Sequence, residues 1–450
     1  MVTAIALHLR NRGVREKFTL ALDVENPIMA IALSLAAGAL GALWVHATRE
    51  ALNSEASPVN FLVTDQMGRH FGMANVLYVD ADWLKPPAGH EPTPSLTFEG
   101  FNQASQTFMI AQSSGTTGTL KLMAISAENA ASRSDPANLL DQSDVPVVAS
   151  YFHPLHQGNM WNILRVLRKG GMYVCDGTLT DWAKAGATYV IGSPAHYLLD
   201  RDFILAQKAP SLENAWIGGG PIYAAQLNDL LRLFKSVHVT YGASEVGIVS
   251  AKKITRSNWT DGPTKLGQID ERCALQVVDD RRQEVSTGGE GLLRMRAPWL
   301  VTGYLGDKDA TARFFQDGWY YTGDIGYLDE HSELVVTGRA SDAVNIGGTK
   351  VNLSLVDEVI TSHPHVRDAV SFIEKTPDGY DRLAALVMLD DGTDDNAIFQ
   401  HVSAQISEKL GKSRTPARYY RVTRIPRNAN GKALRALATG SVIVAADEPR

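Results

Sequence analysis

Four stretches of this chain combine residue types that could handle a phosphorylated substrate. The first is Ser113-Ser114-Gly115-Thr116-Thr117-Gly118-Thr119-Leu120-Lys121, which follows the apolar run FMIAQ. Glycines let backbone N–H groups approach phosphate oxygens, and the hydroxyls of Ser114, Thr116 and Thr117 add donors. Lys121 adds a cation. This is not a Walker A loop, because Lys121 does not follow a glycine directly and no Ser or Thr follows it. Taken alone, such a run is as readily a flexible loop. The second stretch is Tyr241-Gly242-Ala243-Ser244-Glu245, after the strand-like VHVT. A strand-end Tyr241 can stack on a base. Glu245 can hold Mg2+, which wants one or two carboxylates plus phosphates. A surface turn accounts for it equally well. The third is Tyr321-Thr322-Gly323-Asp324, followed by Arg339. An Asp at a turn can accept from both ribose hydroxyls, and an Arg can donate to the sugar or a phosphate, although TGD alone is an ordinary turn sequence. The fourth is Asn430-Gly431-Lys432. A lone lysine is usually a solvated charge.

Groups of this kind need elements to hold them. Short apolar runs alternate with helical stretches as far as residue 250: FTLAL, NFLVT, VPVVASYF, GGMYVCD, ATYVIG, NAWIGGG and VHVTYG. Several end in Gly, Ser or Thr, where an α/β sheet presents its ligand loops. From about residue 264 the runs shorten into CALQVVDD, GEGLLRMRA and GYLDEHSELVVTG, which predicts a β-rich subdomain over 264–338. After it come a helix at 353–363 and the strands VSFIEK and LAALVML. The expected fold class is therefore α/β: a large N-terminal domain over 1–338, and a small α+β domain over 339–450.

The 450 residues are 44% hydrophobic and 20% charged, with a net charge of −6. These are the proportions of a soluble globular enzyme. No basic block offers a nucleic-acid surface. The only two cysteines, Cys175 and Cys273, lie in no CxxC or His/Cys cluster, so neither a disulfide framework nor a zinc site is expected. A reducing cytoplasm is the simplest compartment. Ile28 to Val45 carries no charge and is near the minimum length of a membrane span. However, Asp23 and Glu25 precede it in place of a basic flank, and it is rich in Ala and Gly. Asn26-Pro27 is a good helix start. The run reads as a buried helix ending near Gly38 or Gly41, then a short buried strand, ALWV.

Together and in this order, the four stretches resemble motifs of the adenylate-forming superfamily. That group comprises acyl- and aryl-CoA ligases, carrier-protein-loading adenylation domains and beetle luciferases. SSGTTGTLK resembles its phosphate loop, YGASE its Tyr-Gly-x-Thr-Glu motif and GWYYTGD its ribose-binding aspartate motif. GRASDAVNIGGTKV resembles its hinge, and PRNANGKALR its terminal lysine motif. Gly218-Gly219-Gly220-Pro221 and GYLGD at 303–307 are weaker matches. The resemblance runs from about residue 17 to 437. It implies that Ser114, Thr116, Thr117 and Lys121 hold ATP phosphates, and that Glu245 ligates Mg2+. Tyr241, Gly242 and Gly218 to Gly220 would frame the adenine, with Asp324 and Arg339 on the ribose. It places Lys432 between the substrate carboxylate and the α-phosphate. His153 would lie between the acid pocket and the pantetheine tunnel, while Asn345 and Gly348 would belong to the thioester-forming face. The implied reaction is ATP/Mg2+ activation of an acid, followed by transfer to CoA or to the phosphopantetheine of an acyl carrier protein. A non-catalytic adenylate-binding protein is the alternative from another class, and luciferase-like oxidation ranks last.

The pattern is broken in places. The family usually carries several dozen more residues before FTLAL, and His46 to Ala104 is compact. Thr119 stands where Pro is usual, Ser244 replaces Thr, Ser341 stands at the hinge and Leu355 replaces a frequent Glu. Amino-acid-activating members place an Asp near the Phe152-His153 position to pair with the substrate ammonium. Here FHPLHQGNMW has no acid. An unpaired desolvated ammonium is costly, so an α-amino acid is disfavoured. His153, His156, Gln157, Asn159 and Trp161 suit an aryl or short polar acid better.

Overall fold

A computed structural model gives the structure of the chain. It describes residues 1–89, 100–114, 120–135, 145–260, 262–376, 378–427 and 433–438, without the side chain of Ser114. Thr116, Thr117 and Lys432 lie outside the described residues.

The chain forms two compact units. The first comprises Met1–Thr188, Ala243–Gly247 and Arg296–Tyr320, and the second Tyr189–Gly242, Ile248–Met295 and Tyr321–Arg450. In the first unit, strands β1 (Thr19–Asp23), β2 (Leu43–His46), β3 (Phe61–Thr64), β4 (Val76–Tyr78), β5 (Thr107–Ser114) and β6 (Leu120–Ser126) form one sheet. Its order is β4-β3-β1-β2-β5-β6. All neighbours run parallel except the β5–β6 hairpin. Strands β7 (Val147–Ser150) and β8 (Met172–Val174) pair in parallel.

The uncharged run is the helix Pro27–Ala39, as expected. Asn26 caps it by accepting from the N–H of Met29, and Pro27 occupies its first turn. Its alanines and Leu33 pack into a core with Leu20, Leu22, Trp44 and Met109. Ser34 hides its hydroxyl on the carbonyl of Ala30 at 2.8 Å, so that hydroxyl is not stranded. Gly41 then turns the chain at φ 66°, where a Cβ would lie 2.6 Å from the Gly100 carbonyl oxygen. The chain re-enters the core as β2. Among the described residues no helix is long and apolar enough to cross a membrane.

In the second unit, β9 (Tyr189–Gly192), β10 (Leu212–Ile217) and β11 (Phe234–Ala243) run parallel, with β12 (Gly247–Ile254) beside β11. Ala274–Val278, Gly291–Arg296, Trp319–Leu328 and Leu334–Arg339 are strands of one sheet. Beyond it, the helices Leu353–Thr361 and Asp395–Lys409 pack through Val356, Ile360, Val402 and Ile406. They cover the strands Val366–Lys375, Asp381–Leu389 and Arg418–Arg421. The helix 395–409 was not anticipated from the sequence.

Candidate active site

The hairpin β5–β6 brings the first group together. Ser113 faces Lys121 across the ladder, and Ser114 pairs with Leu120. Residues 115–119 lie outside the described residues. The Lys121 side chain is 8% exposed. Its Nζ lies 4.2 Å from the Phe314 ring centre and 4.7 Å from that of Tyr304, both cation–π distances. Burial lowers its pKa below the ordinary lysine value, opposed by the charges of Asp307 and Glu245.

Glu245 is 3% exposed. A single oxygen, Oε1, accepts from the Ser113 hydroxyl at 2.9 Å and from the Tyr304 hydroxyl at 2.8 Å. Burial, and then the Glu245 carboxylate, push the Tyr304 phenol well above its usual pKa, so it stays a donor. Among the described residues no hydrogen bond reaches Oε2. The described residues therefore fit Mg2+: a buried carboxylate, a hard oxygen ligand, oriented by two hydroxyl donors. No cluster of three or more His, Cys, Asp or Glu able to hold a metal occurs among the described residues.

The second group is built on the hairpin Trp319–Leu328/Leu334–Arg339, where Asp324 and Arg339 are directly opposed. Arg339 Nε lies 3.0 Å from Asp324 Oδ1, and the Tyr241 hydroxyl donates to Oδ2 at 2.9 Å. The Asp324 N–H donates to the Thr322 hydroxyl at 2.9 Å, and Gly323 turns the chain at φ 74°. Burial, and then the Asp324 charge, hold the Tyr241 phenol protonated. Tyr241 thus adds a tie to Asp324 that its sequence context did not foreshadow. Gly218, Gly219 and Gly220 follow β10, and a Cβ on Gly218 would lie 2.8 Å from Thr240 Oγ1. Gly242 is exposed near the end of β11.

His153 lies elsewhere in the first unit. Its Nδ1 accepts from the Leu155 N–H at 3.2 Å, and its ring stacks on His46 with centroids 6.3 Å apart. Burial lowers the pKa of both imidazoles. Among the described residues no hydrogen bond joins His153 to Glu245 or Lys121. Asn345 and Gly348 lie on the hairpin Ala343–Ile346/Thr349–Asn352, and both are exposed. Tyr304 and Ser113 were not singled out from the sequence as site residues, although Tyr304 belongs to the weaker GYLGD match.

The family model described as AMP-binding enzyme matches residues 1–305, and the AMP-binding enzyme C-terminal domain matches 355–432. A 2-succinylbenzoate–CoA ligase of Bacillus cereus (strain ZK / E33L) is 31% identical over 229 residues, 50% of this chain and 46% of that protein. The match thus spans about half the length of this relative. Among solved structures, the amide bond synthetase McbA from Marinactinospora thermotolerans superposes with a TM-score of 0.82 at 22% identity, covering 98% of this chain and 92% of that one. The o-succinylbenzoate CoA synthetase MenE from Bacillus subtilis, in complex with the acyl-adenylate intermediate OSB-AMP, gives 0.81 at 21% identity, covering 97% and 90%. The sequence motifs, the fold and both family models agree: the chain belongs to the AMP-binding enzymes of the adenylate-forming superfamily.

Proposed function

We propose that this protein is an acid–thiol ligase that activates an aryl or short-chain carboxylic acid as its acyl-adenylate and transfers the acyl group to CoA. The observation that carries this reading is the buried Glu245 carboxylate, aimed by Ser113 and Tyr304, whose ring Lys121 also faces. Ser114, Thr116, Thr117 and Lys121 hold the phosphates, and Glu245 holds Mg2+. The ion, when bound, neutralises charge on the departing pyrophosphate. Asp324 accepts from the ribose hydroxyls, held by the Arg339 guanidinium 3.0 Å from its Oδ1, and Tyr241 with Gly218 to Gly220 and Gly242 frames the adenine. The substrate carboxylate attacks the α-phosphorus, the bond to pyrophosphate breaks, and Lys432 stabilises the charge that develops. CoA sulfur then displaces AMP from the acyl carbon. His153 borders the acid, and Asn345 and Gly348 border the pantetheine arm. The small domain begins at residue 339 and moves between the half-reactions. The compartment is the cytoplasm.

The relatives' names support an aryl acid, since 2-succinylbenzoate is one. The amide bond synthetase among the fold neighbours supports testing an amine acceptor as well. ATP–pyrophosphate exchange over a panel of carboxylic acids, followed by acceptor assays with CoA, a pantetheinylated carrier protein and simple amines, tests the reading. Acid-dependent exchange with CoA thioester formation is expected. No exchange with any acid, despite ATP binding, would leave a non-catalytic nucleotide-binding protein. Exchange followed by transfer to carrier protein or amine alone would replace CoA as the acceptor.

A further inference from the structure

The Glu245 turn is gripped from behind by a residue that no motif marks. Arg133 ends the helix Ala127–Arg133, which Ser126 caps directly after β6. It is 3% exposed. Its guanidinium donates to the carbonyls of Ser244 at 2.9 Å, Glu245 at 2.9 Å and Trp299 at 3.0 Å. The Val301 N–H donates to the same Glu245 carbonyl at 3.1 Å, so the 244–245 turn and the 299–301 segment are tied together. Arg165 in turn donates to the Arg133 carbonyl at 2.6 Å and to Asn162 Oδ1 at 2.7 Å.

A buried guanidinium is expensive, and an apolar side chain of similar volume often stabilises as well or better. Burial lowers the Arg133 pKa to about 10, opposed by the Glu245 charge. Among the described residues its hydrogen bonds go to main-chain carbonyls and to no carboxylate, and two of them lie on Glu245 and its immediate neighbour. One continuous segment therefore reaches Glu245 in two ways: Ser113, on β5, holds the carboxylate, and Arg133, after β6, holds its backbone. Gly247 is pressed by the same packing, since a Cβ there would lie 2.9 Å from Trp299 Nε1.

We propose that Arg133 is a positioning residue for Glu245, fixing the 244–245 turn so that the carboxylate is presented in the orientation that Mg2+ requires. This rests on the metal role proposed above for Glu245. The test uses the full chain and ATP binding by calorimetry across a Mg2+ titration, with AMP binding and thermal melting alongside. Arg133→Met should raise the Mg2+ concentration for half-maximal ATP binding about 10-fold, the lower end of what is lost when a residue supporting a metal ligand is removed. AMP affinity should stay within about threefold, because AMP brings no pyrophosphate-bound ion. Arg133→Lys, which keeps the charge but cannot span three carbonyls, should fall between. Adding Arg133→Met to Glu245→Gln should raise the Mg2+ midpoint no further, since both act through one ligand. An unchanged midpoint in Arg133→Met, additive effects in the double variant, or parallel loss of ATP and AMP binding would each overturn the proposal. If the Met variant does not fold, the Lys variant decides: an unmoved midpoint overturns the proposal and a raised one supports it. A wild type that binds no ATP would instead defeat the functional reading.

Discussion

The Gly347-Gly348 hairpin offers a clean separation of the two half-reactions. Ile346 and Thr349 pair across it, so the glycines form a two-residue connection. Their φ values are 55° and 85°, both in the left-handed region, which such a connection demands. A glycine there has a sufficient conformational reason, and the functional reason must be tested apart from it. The structure allows this, because a Cβ built on Gly348 meets nothing within 4 Å. Gly348→Leu therefore places its Cβ against no described atom closer than 4 Å. Its cost is the left-handed conformation itself, about 1–2 kcal/mol. For a chain of this size that lowers Tm by a few degrees. The added Cβ stands in open space, where the proposed pantetheine arm would pass. ATP–pyrophosphate exchange should remain within about twofold of wild type, while acyl-CoA output falls 10-fold or more, a barrier increase of about 1.4 kcal/mol. Exchange and thioester assays on the same preparation measure both. Equal loss of the two activities would mean that Gly348 only shapes the turn. Full thioester output would mean that the thiol arm does not cross this hairpin.

Glu245→Gln keeps the shape and the acceptor for Ser113 and Tyr304 but removes the charge; activity should fall and the Mg2+ requirement rise, and an identical Mg2+ titration would remove Glu245 from the metal role. Lys432→Ala should slow adenylation by roughly 100-fold or more, the size expected for losing a group aimed at developing charge. Thioester formation from supplied acyl-AMP should survive, and equal loss of both steps would refute that division. His46 and His153 have pKa values below the ordinary 6.5, mainly through burial. Just below pH 6.5 the unfolded chain therefore binds more protons than the folded one, and their contribution to stability is lost as pH falls through that value toward the folded pKa values. Thermal melts between pH 7.5 and 6.0 should show a shallower fall in His153→Gln than in wild type, and equal slopes would show that His153 does not contribute. Limited proteolysis should cut between residues 338 and 345 and be slowed by ATP plus acid, as a domain linker predicts; ligand-independent cleavage elsewhere would argue against the mobile domain.

Local chemistry carries far in this chain. Asn26-Pro27 and Gly41 bracketed the buried helix because cap and turn preferences act over a few residues. The apolar runs marked strands because burial on both faces of a parallel sheet leaves little room for polar positions. The motifs singled out Lys121, Glu245, Asp324 and Arg339 as candidates, since each is a charge near glycine or hydroxyl residues in a short span. Other features depended on distance along the chain. The helix 395–409 buries Ile398, Val402 and Ile406 on one narrow stripe, too weak a signal to separate from its polar surroundings. The Tyr241 hydroxyl serves Asp324 from a remote strand, and Tyr304 serves Glu245 in the same way. Arg133 looks in sequence like any helix-end cation. Only tertiary packing buries it, and a buried guanidinium must find carbonyls wherever the fold places them, here on the turn that carries Glu245.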